Sequence, residues 1–237
     1  MRRVALITGA SRGLGASLAE FLARQGYDLI MTARGREPLE RVAQTLEGRG
    51  GEVVAIAGDV ADDGHRRRLV AAAESLGGLD LLVNNASTLG AAPLPRLADY
   101  PLDDLEHVFA VNVLAPLALT QLALPLLTAR GGLIVNLSSD AAVGGYPGWG
   151  GYGASKAALD LITRTLADEL RGVGAVAVDP GDMRTEMQQL AFPGEDISDR
   201  PLPDVTLPFW AWLLGQDPMA VSGQRFLAQG ETWEVAA

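Results

Sequence analysis

The chain of 237 residues contains no cysteine, two histidines and a single lysine, Lys156. Without cysteine it can form no disulfide, iron–sulfur cluster, thiol nucleophile or cysteine-based zinc site. His65 and His107 leave little for a histidine-built metal centre, so we expect no bound metal. Positive charge is also scarce, because 19 basic residues face 29 acidic ones and leave a net charge of −10. This balance argues against binding to nucleic acid or to an anionic membrane.

Long uncharged runs are rare as well, and only residues 108–129 approach the length of a membrane span. This run contains two prolines and the polar residues Asn112, Thr120 and Gln121, which favour a helix packed inside a soluble protein. The first residues are basic but carry no signal-peptide cleavage pattern. We therefore expect a cytoplasmic protein with no membrane partner.

Short apolar runs alternate with amphipathic stretches along the chain. Strands are predicted at residues 4–8, 28–32, 53–57, 79–83, 133–137, 173–178 and 224–228. Helices are predicted at residues 13–25, 37–46, 62–76, 152–170 and 208–214, with two more that are separated or kinked around Pro116. The pattern predicts one α/β domain over residues 1–237, a doubly wound parallel sheet of about seven strands with helices on both faces. Residues 184–207 show no helical or strand periodicity, and so long an irregular segment is typical of a substrate loop or lid.

A glycine-rich segment, Thr8-Gly9-Ala10-Ser11-Arg12-Gly13-Leu14-Gly15, joins the first strand to the first helix. Gly9 permits a tight turn, Gly13 lets the backbone approach a pyrophosphate, and Gly15 allows close packing of helix on sheet. The N–H groups at the start of the helix would bind the phosphates, with Ser11, Arg12 and Leu14 beside them. The position between strand and helix predicts a dinucleotide site.

The end of the second strand indicates which dinucleotide binds. A site for NAD usually has an acidic residue there, whereas this chain has Ala33-Arg34. Arg34, with Arg12 nearby, could pair with a 2′-phosphate and favour NADP(H) by roughly 10- to 150-fold, unless both are ordinary surface charges. Asp59-Val60 and Asn85-Ala86 follow the third and fourth strands, where such cofactors bind. Asp59 could reach an adenine amino group or cap the next helix, and the sequence leaves both open.

The only lysine stands four residues after Tyr152 on a predicted helix, so Tyr152 and Lys156 share a face. A tyrosine with its usual pKa of about 10 is a poor acid at neutral pH. An ammonium about 5 Å away would lower the pKa of Tyr152 to about 7.5, where proton transfer is efficient. The pair therefore predicts an acid–base site, with an accidental surface pair as the alternative.

The motifs together resemble the short-chain dehydrogenase/reductase superfamily, in its compact single-domain branch with a Rossmann-like fold. The resemblance covers about residues 3–185 and rests on the glycine-rich segment, Asn84-Asn85-Ala86, Asn112, Ser138-Ser139, Tyr152-x-x-x-Lys156 and Pro180-Gly181-x-x-x-Thr185. One departure is Ser87, which stands where the family usually has glycine and adds bulk beside the cofactor cleft.

The resemblance implies roles for the matched residues. Tyr152 would exchange the proton with a carbonyl or alcohol, Lys156 would hold the nicotinamide ribose, and Ser139, rather than Ser138, would bind the substrate oxygen. Asn112 would hold a water in a proton relay, and Asn85 would contact the cofactor or steady the fourth strand. Further cofactor contacts are expected from Pro180, Gly181, Met183 and Thr185. The substrate pocket is expected to include Tyr146, Trp149 and Met187 with Ser139.

These expectations describe an NADPH-dependent, reversible reductase of small aldehydes or ketones. The alternative is a non-catalytic dinucleotide sensor on the same fold, although no residue of the catalytic set is missing. A sugar-nucleotide epimerase usually has a longer substrate domain than 237 residues allow. By resemblance, residues 108–129 and 152–170 would form the helices of a homodimer or homotetramer. The sequence leaves the substrate and the physiological direction open.

Overall fold

The computed structural model describes residues Arg2–Val235, in which seven parallel strands form one sheet in the order β3-β2-β1-β4-β5-β6-β7. The strands are β1 (Val4–Thr8), β2 (Asp28–Ala33), β3 (Val53–Ala57), β4 (Leu81–Asn84), β5 (Leu133–Leu137), β6 (Gly174–Asp179) and β7 (Arg225–Leu227). The order reverses between β1 and β4, and the carboxyl ends of these strands open a crevice in which such sheets bind ligands. The predicted doubly wound, Rossmann-like sheet is confirmed.

Helices cover both faces of the sheet, because alternate strand residues point to opposite sides. They are α1 (Gly13–Arg24), α2 (Arg36–Leu46), α3 (Asp63–Ser75), α4 (Leu102–Phe109), α5 (Ala115–Arg130), α6 (Gly150–Glu169), α7 (Glu186–Ala191), α8 (Leu207–Leu213) and α9 (Pro218–Val221). Ile7 of β1 lies in the core formed with α1, α2 and α8, whereas its neighbour Leu6 lies in the core formed with α3, α5 and α6. With both faces covered, most strand residues are apolar, and the polar ones lie mainly near the strand ends.

The two predicted helical stretches, separated or kinked around Pro116, are α4 and α5. The irregularity is a π-helical turn at Ala110–Leu114, before the proline. Pro116 lies just after this turn and has no N–H to donate to it, so the irregularity lies where a proline in a continuous helix loosens the backbone.

The continuous helical segment Leu102–Arg130 is long and apolar enough to cross a membrane, but half of its most apolar window is buried inside the fold. Leu119, Ala123 and Leu127 pack against the sheet, as in the core helix of a globular protein.

Two segments are more ordered than their sequence indicates. Residues 184–207 contain α7 and a 3₁₀ turn at Pro203–Thr206, both too short to show periodicity. Near the C-terminus, for which the sequence gives no signal, the Trp233 ring lies 5.4 Å from that of Phe209 and its Nε1 donates to the Leu227 carbonyl at 2.9 Å. Residues 236 and 237 of this tail lie outside the described range.

Candidate active site

The glycine-rich segment has the backbone shape that its sequence predicts. Gly9 and Gly13 adopt φ of 68° and 55°, in the left-handed region that favours glycine. A Cβ on Gly15 would clash with the Gly9 carbonyl oxygen and lie 2.6 Å from Asn85 Nδ2. Helix α1 begins with no side-chain cap from any described residue and no acid in its first turn. Its first N–H groups therefore suit an anion such as a dinucleotide phosphate.

Asn85 anchors this segment from the end of β4. Its Nδ2 donates to the carbonyl oxygens of Thr8 at 2.8 Å and Gly9 at 3.2 Å. The Thr8 hydroxyl in turn accepts from the backbone N–H groups of Asn85 and Ala86, at 3.0 and 2.9 Å. Two roles were predicted for Asn85, contact with the cofactor or steadying the fourth strand. These hydrogen bonds correspond to the steadying role. Thr8 was missed by the sequence analysis because it reads as an ordinary strand residue.

The predicted adenine end of the cleft lies at β2 and β3. Arg34 is exposed directly after buried Ala33, and exposed Arg12 forms an ion pair with Glu186 of α7. Asp59 Oδ1 accepts from the Ala61 N–H at 2.8 Å, beside buried Val60. The cap of α3 is Asp62, which accepts from the His65 N–H at 2.6 Å. Asp59 therefore shapes the turn after β3 rather than capping the helix.

Tyr152 and Lys156 lie on the inner face of α6, as their spacing predicts. Their side chains are 8% and 2% exposed. Lys156 Nζ lies 5.5 Å from the centre of the Tyr152 ring and donates to the Leu137 carbonyl at 2.7 Å. This bond uses one of the three N–H donors of the ammonium and leaves two for a ligand.

Burial dominates the acid–base behaviour of this pair. It raises the pKa of Tyr152 well above the usual value, while hydrogen bonds with the Ser139 and Ser87 side chains act in the opposite direction. Burial also lowers the pKa of Lys156 to about 8, against the opposing charges of Asp160 and Asp179. The predicted fall of the Tyr152 pKa to about 7.5 is therefore wrong for this buried phenol, because burial has the largest effect on its pKa and raises it.

Ser139 lies at the end of β5 against the Tyr152 phenol. Its hydroxyl donates to Asp140 Oδ1 at 3.0 Å and accepts from the Ala141 N–H at 3.2 Å. Ser138 is fully buried, with its N–H bonded to the Val178 carbonyl at 2.7 Å. The structure therefore brings Ser139, the serine selected by spacing, next to Tyr152.

Asn112 lies in the π-helical turn and contacts both the loop after β4 and helix α6. Its Oδ1 accepts from Ser87 Oγ at 3.1 Å and from the Thr88 N–H at 2.9 Å. Its Nδ2 donates to the Thr88 carbonyl at 2.9 Å and to Ser155 Oγ at 3.0 Å. The side chain thus fastens the loop after β4 to helix α6, and a water relay at Asn112 stays a prediction. π-Turns often mark functional positions.

An ionic cluster below the site was missed by the sequence analysis. Arg225 of β7 binds Asp160 Oδ2 at 3.1 Å, Asp179 Oδ2 at 2.9 Å and the Ser139 carbonyl at 2.8 Å. One signal was available, because Asp160 stands four residues after Lys156 and so shares its helix face. The ion pairs with Arg225 have no local sequence signal, because Arg225 lies 65 residues after Asp160 in the chain.

The segment after β6 borders the glycine-rich segment. Gly181 has a φ of 71°, and Gln229 Nε2 donates to the Pro180 and Asp182 carbonyls, both at 2.9 Å. Met183 is buried, and Thr185 caps α7 by accepting from the Gln188 N–H at 3.2 Å. A Cβ on Gly13 would lie 3.5 Å from Thr185 Cγ2, so the two segments face each other across the cleft.

Three of the four predicted pocket residues, Ser139, Trp149 and Met187, lie beside Tyr152. The Trp149 ring lies 5.7 Å from the Tyr152 ring, and Met187 packs against the same apolar cluster. Tyr146 is exposed beside Asp140, and it lies with Trp149 on an open cavity of about 580 Å³. Tyr152 and Ser139 are not among the residues that line this cavity, whereas Trp149 borders both the cavity and the Tyr152 ring. A role for Tyr146 in the substrate pocket stays a prediction.

A glycine-bordered helix terminus beside a buried Tyr–Lys–Ser cluster defines a dinucleotide-dependent oxidoreductase. The family model described as short chain dehydrogenase matches residues 3–196. The chain belongs to this family, the short-chain dehydrogenases/reductases, and acts between a carbonyl and an alcohol with a nicotinamide dinucleotide. The relatives of this chain are described as dehydrogenases and reductases, so they do not support the alternative of a non-catalytic dinucleotide sensor.

Two curated relatives and one solved structure illustrate the relationship. The 3-oxoacyl-[acyl-carrier-protein] reductase FabG of Staphylococcus aureus is 34% identical, covering 96% of this chain and 91% of the relative. The 2-(R)-hydroxypropyl-CoM dehydrogenase of Xanthobacter autotrophicus is 35% identical, covering 85% and 83%. A short chain dehydrogenase from Shigella flexneri, complexed with NADP, superposes with a TM-score of 0.89 at 31% identity, covering 96% and 97%.

Proposed function

We propose that the protein is an NADPH-dependent reductase of small aldehydes or ketones, reversible in principle. The observation that carries this proposal is the buried contact of the Tyr152 phenol with Ser139, beside the Lys156 ammonium. A bound reduced nicotinamide supplies the hydride. Ser139 Oγ holds the carbonyl oxygen, Tyr152 gives that oxygen its proton, and Lys156 holds the nicotinamide ribose.

The preference for NADP(H) rests on charge at the end of β2. Arg34 is exposed where an acidic residue would select NAD, and Arg12 stands at the start of α1. A fluorescence titration with NADPH and NADH tests this directly. Arg34→Ala is expected to weaken NADPH binding by about tenfold or more and to leave NADH binding unchanged. The control is Arg41→Ala. It removes an exposed arginine of the following helix, α2, which is paired with Glu37. Equal affinity of the unmutated protein for both cofactors would refute the preference.

The other cofactor contacts are proposed from position. The glycine-rich segment and Asn85-Ala86 would border the phosphates and nicotinamide, and Asp59-Val60 the adenine. Residues 180–185 would cover the nicotinamide, with Thr185 at its carboxamide. Residues 184–207 would then act as the lid, since α7 lies over the cleft and its Glu186 binds Arg12.

The surroundings of Tyr152 favour an apolar or neutral substrate. Leu89, Leu94, Trp149 and Met187 form the apolar cluster around the phenol. One relative is named as a reductase of 3-oxoacyl groups, which are carbonyl compounds with apolar chains. Comparing kcat/KM for neutral ketones and for matched keto acids tests this proposal. Faster reduction of the keto acids would contradict it.

We also propose a homodimer or homotetramer that works in the cytoplasm. Leu102, Leu114 and Leu161 are exposed on α4, the following π turn and α6, and such apolar positions favour association. The burial of half the apolar window of Leu102–Arg130 fits a core helix better than a membrane span. Light scattering should give a multiple of the 24.9 kDa chain mass, and a monomer mass would refute the oligomer.

A further inference from the structure

Glu186 joins the lid, residues 184–207, to the cofactor site. Its carboxylate forms an ion pair with Arg12, which stands directly before helix α1. The residue before it, Thr185, lies against the glycine-rich segment, since a Cβ on Gly13 would be 3.5 Å from Thr185 Cγ2. The first turn of α7 therefore rests on the start of α1, where the phosphates of a dinucleotide are expected.

The base of the lid is closed by contacts of its own. The Arg184 N–H donates to the Pro201 carbonyl at 2.8 Å, so residues 185–200 form a loop whose ends meet. Beyond this base, Asp204 Oδ1 accepts from Ser17 Oγ of α1 at 2.6 Å. Helix α7 can therefore separate from the glycine-rich segment while the base of the lid stays in place.

The same helix covers the reacting group. Met187, the neighbour of Glu186, packs against the apolar cluster that contains Tyr152. Phe192, directly after α7, has its ring 6.1 Å from the Trp149 ring. One short helix thus contacts both the cation at the cofactor site and the apolar surroundings of the phenol, so a change at the first contact reaches the second.

The ion pair of Arg12 and Glu186 is weak enough for a cofactor to break. The two side chains are 60% and 57% exposed, and an ion pair so exposed changes an equilibrium by about fivefold or less. A phosphate that accepts a charge-assisted hydrogen bond from the same guanidinium gains roughly 10- to 150-fold. NADH has no 2′-phosphate and so offers no such replacement for the carboxylate.

We propose that Glu186 is a specificity-determining residue, which opposes NADPH by holding the Arg12 guanidinium and is displaced from it by the 2′-phosphate. The inference rests on the proposed role of Arg12 in binding that phosphate. Displacement removes the ionic contact of α7 with the start of α1 and loosens the cover over Tyr152. NADPH therefore frees the lid for the entry of substrate, whereas NADH leaves the ion pair intact.

Fluorescence titration with NADPH and NADH tests the competition. Glu186→Gln removes the charge but keeps the size of the side chain, so Kd for NADPH should fall about two- to fivefold relative to Kd for NADH. The same substitution should have no effect on this ratio in an Arg12→Gln protein. Glu20→Gln, which removes an equal charge from ion pairs with Arg24 and Arg49, is the control. An effect that persists without Arg12 would overturn the proposal.

Hydrogen–deuterium exchange gives a second readout that does not depend on turnover. Within α7 the Gln189 N–H is bonded to the Thr185 carbonyl at 3.0 Å, and opening of the helix exposes this N–H to solvent. With saturating NADPH, residues 186–192 should exchange faster than with saturating NADH, and Glu186→Gln should remove this difference. Equal exchange with both cofactors would overturn the release of the lid.

The two proposals fail in different ways. Equal affinity of the unmutated protein for NADPH and NADH would reject the proposed cofactor preference, and the role of Glu186 with it. A preference for NADPH that Glu186→Gln leaves unchanged would reject the role of Glu186 alone.

Discussion

The guanidinium of Arg225 donates to the backbone carbonyl of Ser139 at 2.8 Å. The same side chain binds Asp160 and Asp179, which are both nearly buried. A residue of the last strand therefore fixes the position of the serine that faces the Tyr152 phenol.

Replacing Arg225 by methionine should destabilise the protein and slow turnover. Two nearly buried carboxylates would lose their partner, at about 2–4 kcal/mol of unfolding free energy once the partial exposure of Arg225 is allowed for. Urea denaturation measures the loss, and kcat should fall because Ser139 loses its support. Arg171→Met removes an exposed arginine with one weak bond, 3.5 Å to the Asp168 carbonyl, and should change stability by no more than about 0.5 kcal/mol. Equal stability of the two variants would contradict this account.

Tyr152→Phe should lower kcat by roughly 10²- to 10⁴-fold, because the phenol is the proton donor. Phenylalanine keeps the ring that packs against Trp149, so NADPH binding measured by fluorescence should change little. Tyr27→Phe removes a phenol just before β2, at the end of the sheet opposite the site, and serves as the control. Full activity of Tyr152→Phe would remove Tyr152 from the mechanism.

The buried ammonium of Lys156 should make stability depend on pH. Burial lowers its pKa to about 8 from 10.5, so the unfolded chain binds the proton more tightly than the folded one. Below pH 8 the buried charge lowers the unfolding free energy by its full amount. As pH rises from about 8 to 10.5 this effect disappears, so the unfolding free energy increases by up to about 3 kcal/mol. Lys156→Met lacks this gain. The measurement is the difference in unfolding free energy between the two proteins over this range, and a constant difference would argue against a desolvated ammonium.

Gly15→Ala should weaken both folding and cofactor binding. The Cβ of the new alanine would clash with the Gly9 carbonyl and with Asn85 Nδ2, which should lower the unfolding free energy by about 1–3 kcal/mol. The same clash would displace the segment that borders the phosphates. Gly145→Ala is the control, because nothing lies within 4 Å of a Cβ there. Thermal unfolding and NADPH titration measure the two effects. If both variants behave alike, close packing at Gly15 is not the reason for the glycine.

Local patterns in the sequence predict much of this structure. Buried parallel strands need apolar residues on both faces, so β1 and β5 are visible as short runs, and the shared helix face of Tyr152 and Lys156 follows from their spacing. The glycine-rich segment is recognisable for a similar reason, since its backbone conformation restricts the residue type.

The remaining features depend on contacts between distant parts of the chain. The partners of Arg225 come from α6, β5 and β6, and those of Asn112 from α6 and the loop after β4. The high pKa of Tyr152 arises from burial by residues such as Met187, which spacing on one helix does not reveal. The π turn at Ala110–Leu114 has no sequence signature of its own, but Pro116 just after it indicates an irregularity in this part of the helix.

The single lysine gives the protein an unusual chemical property. Apart from the chain's own α-amino group, the sequence offers amine-directed reagents only Lys156, which is 2% exposed and has its pKa lowered to about 8. A small acylating reagent can therefore modify this side chain only when the cleft opens. The rate at which the ε-amine is acylated then reports how often the cleft admits a molecule of substrate size, with no engineered label in the protein.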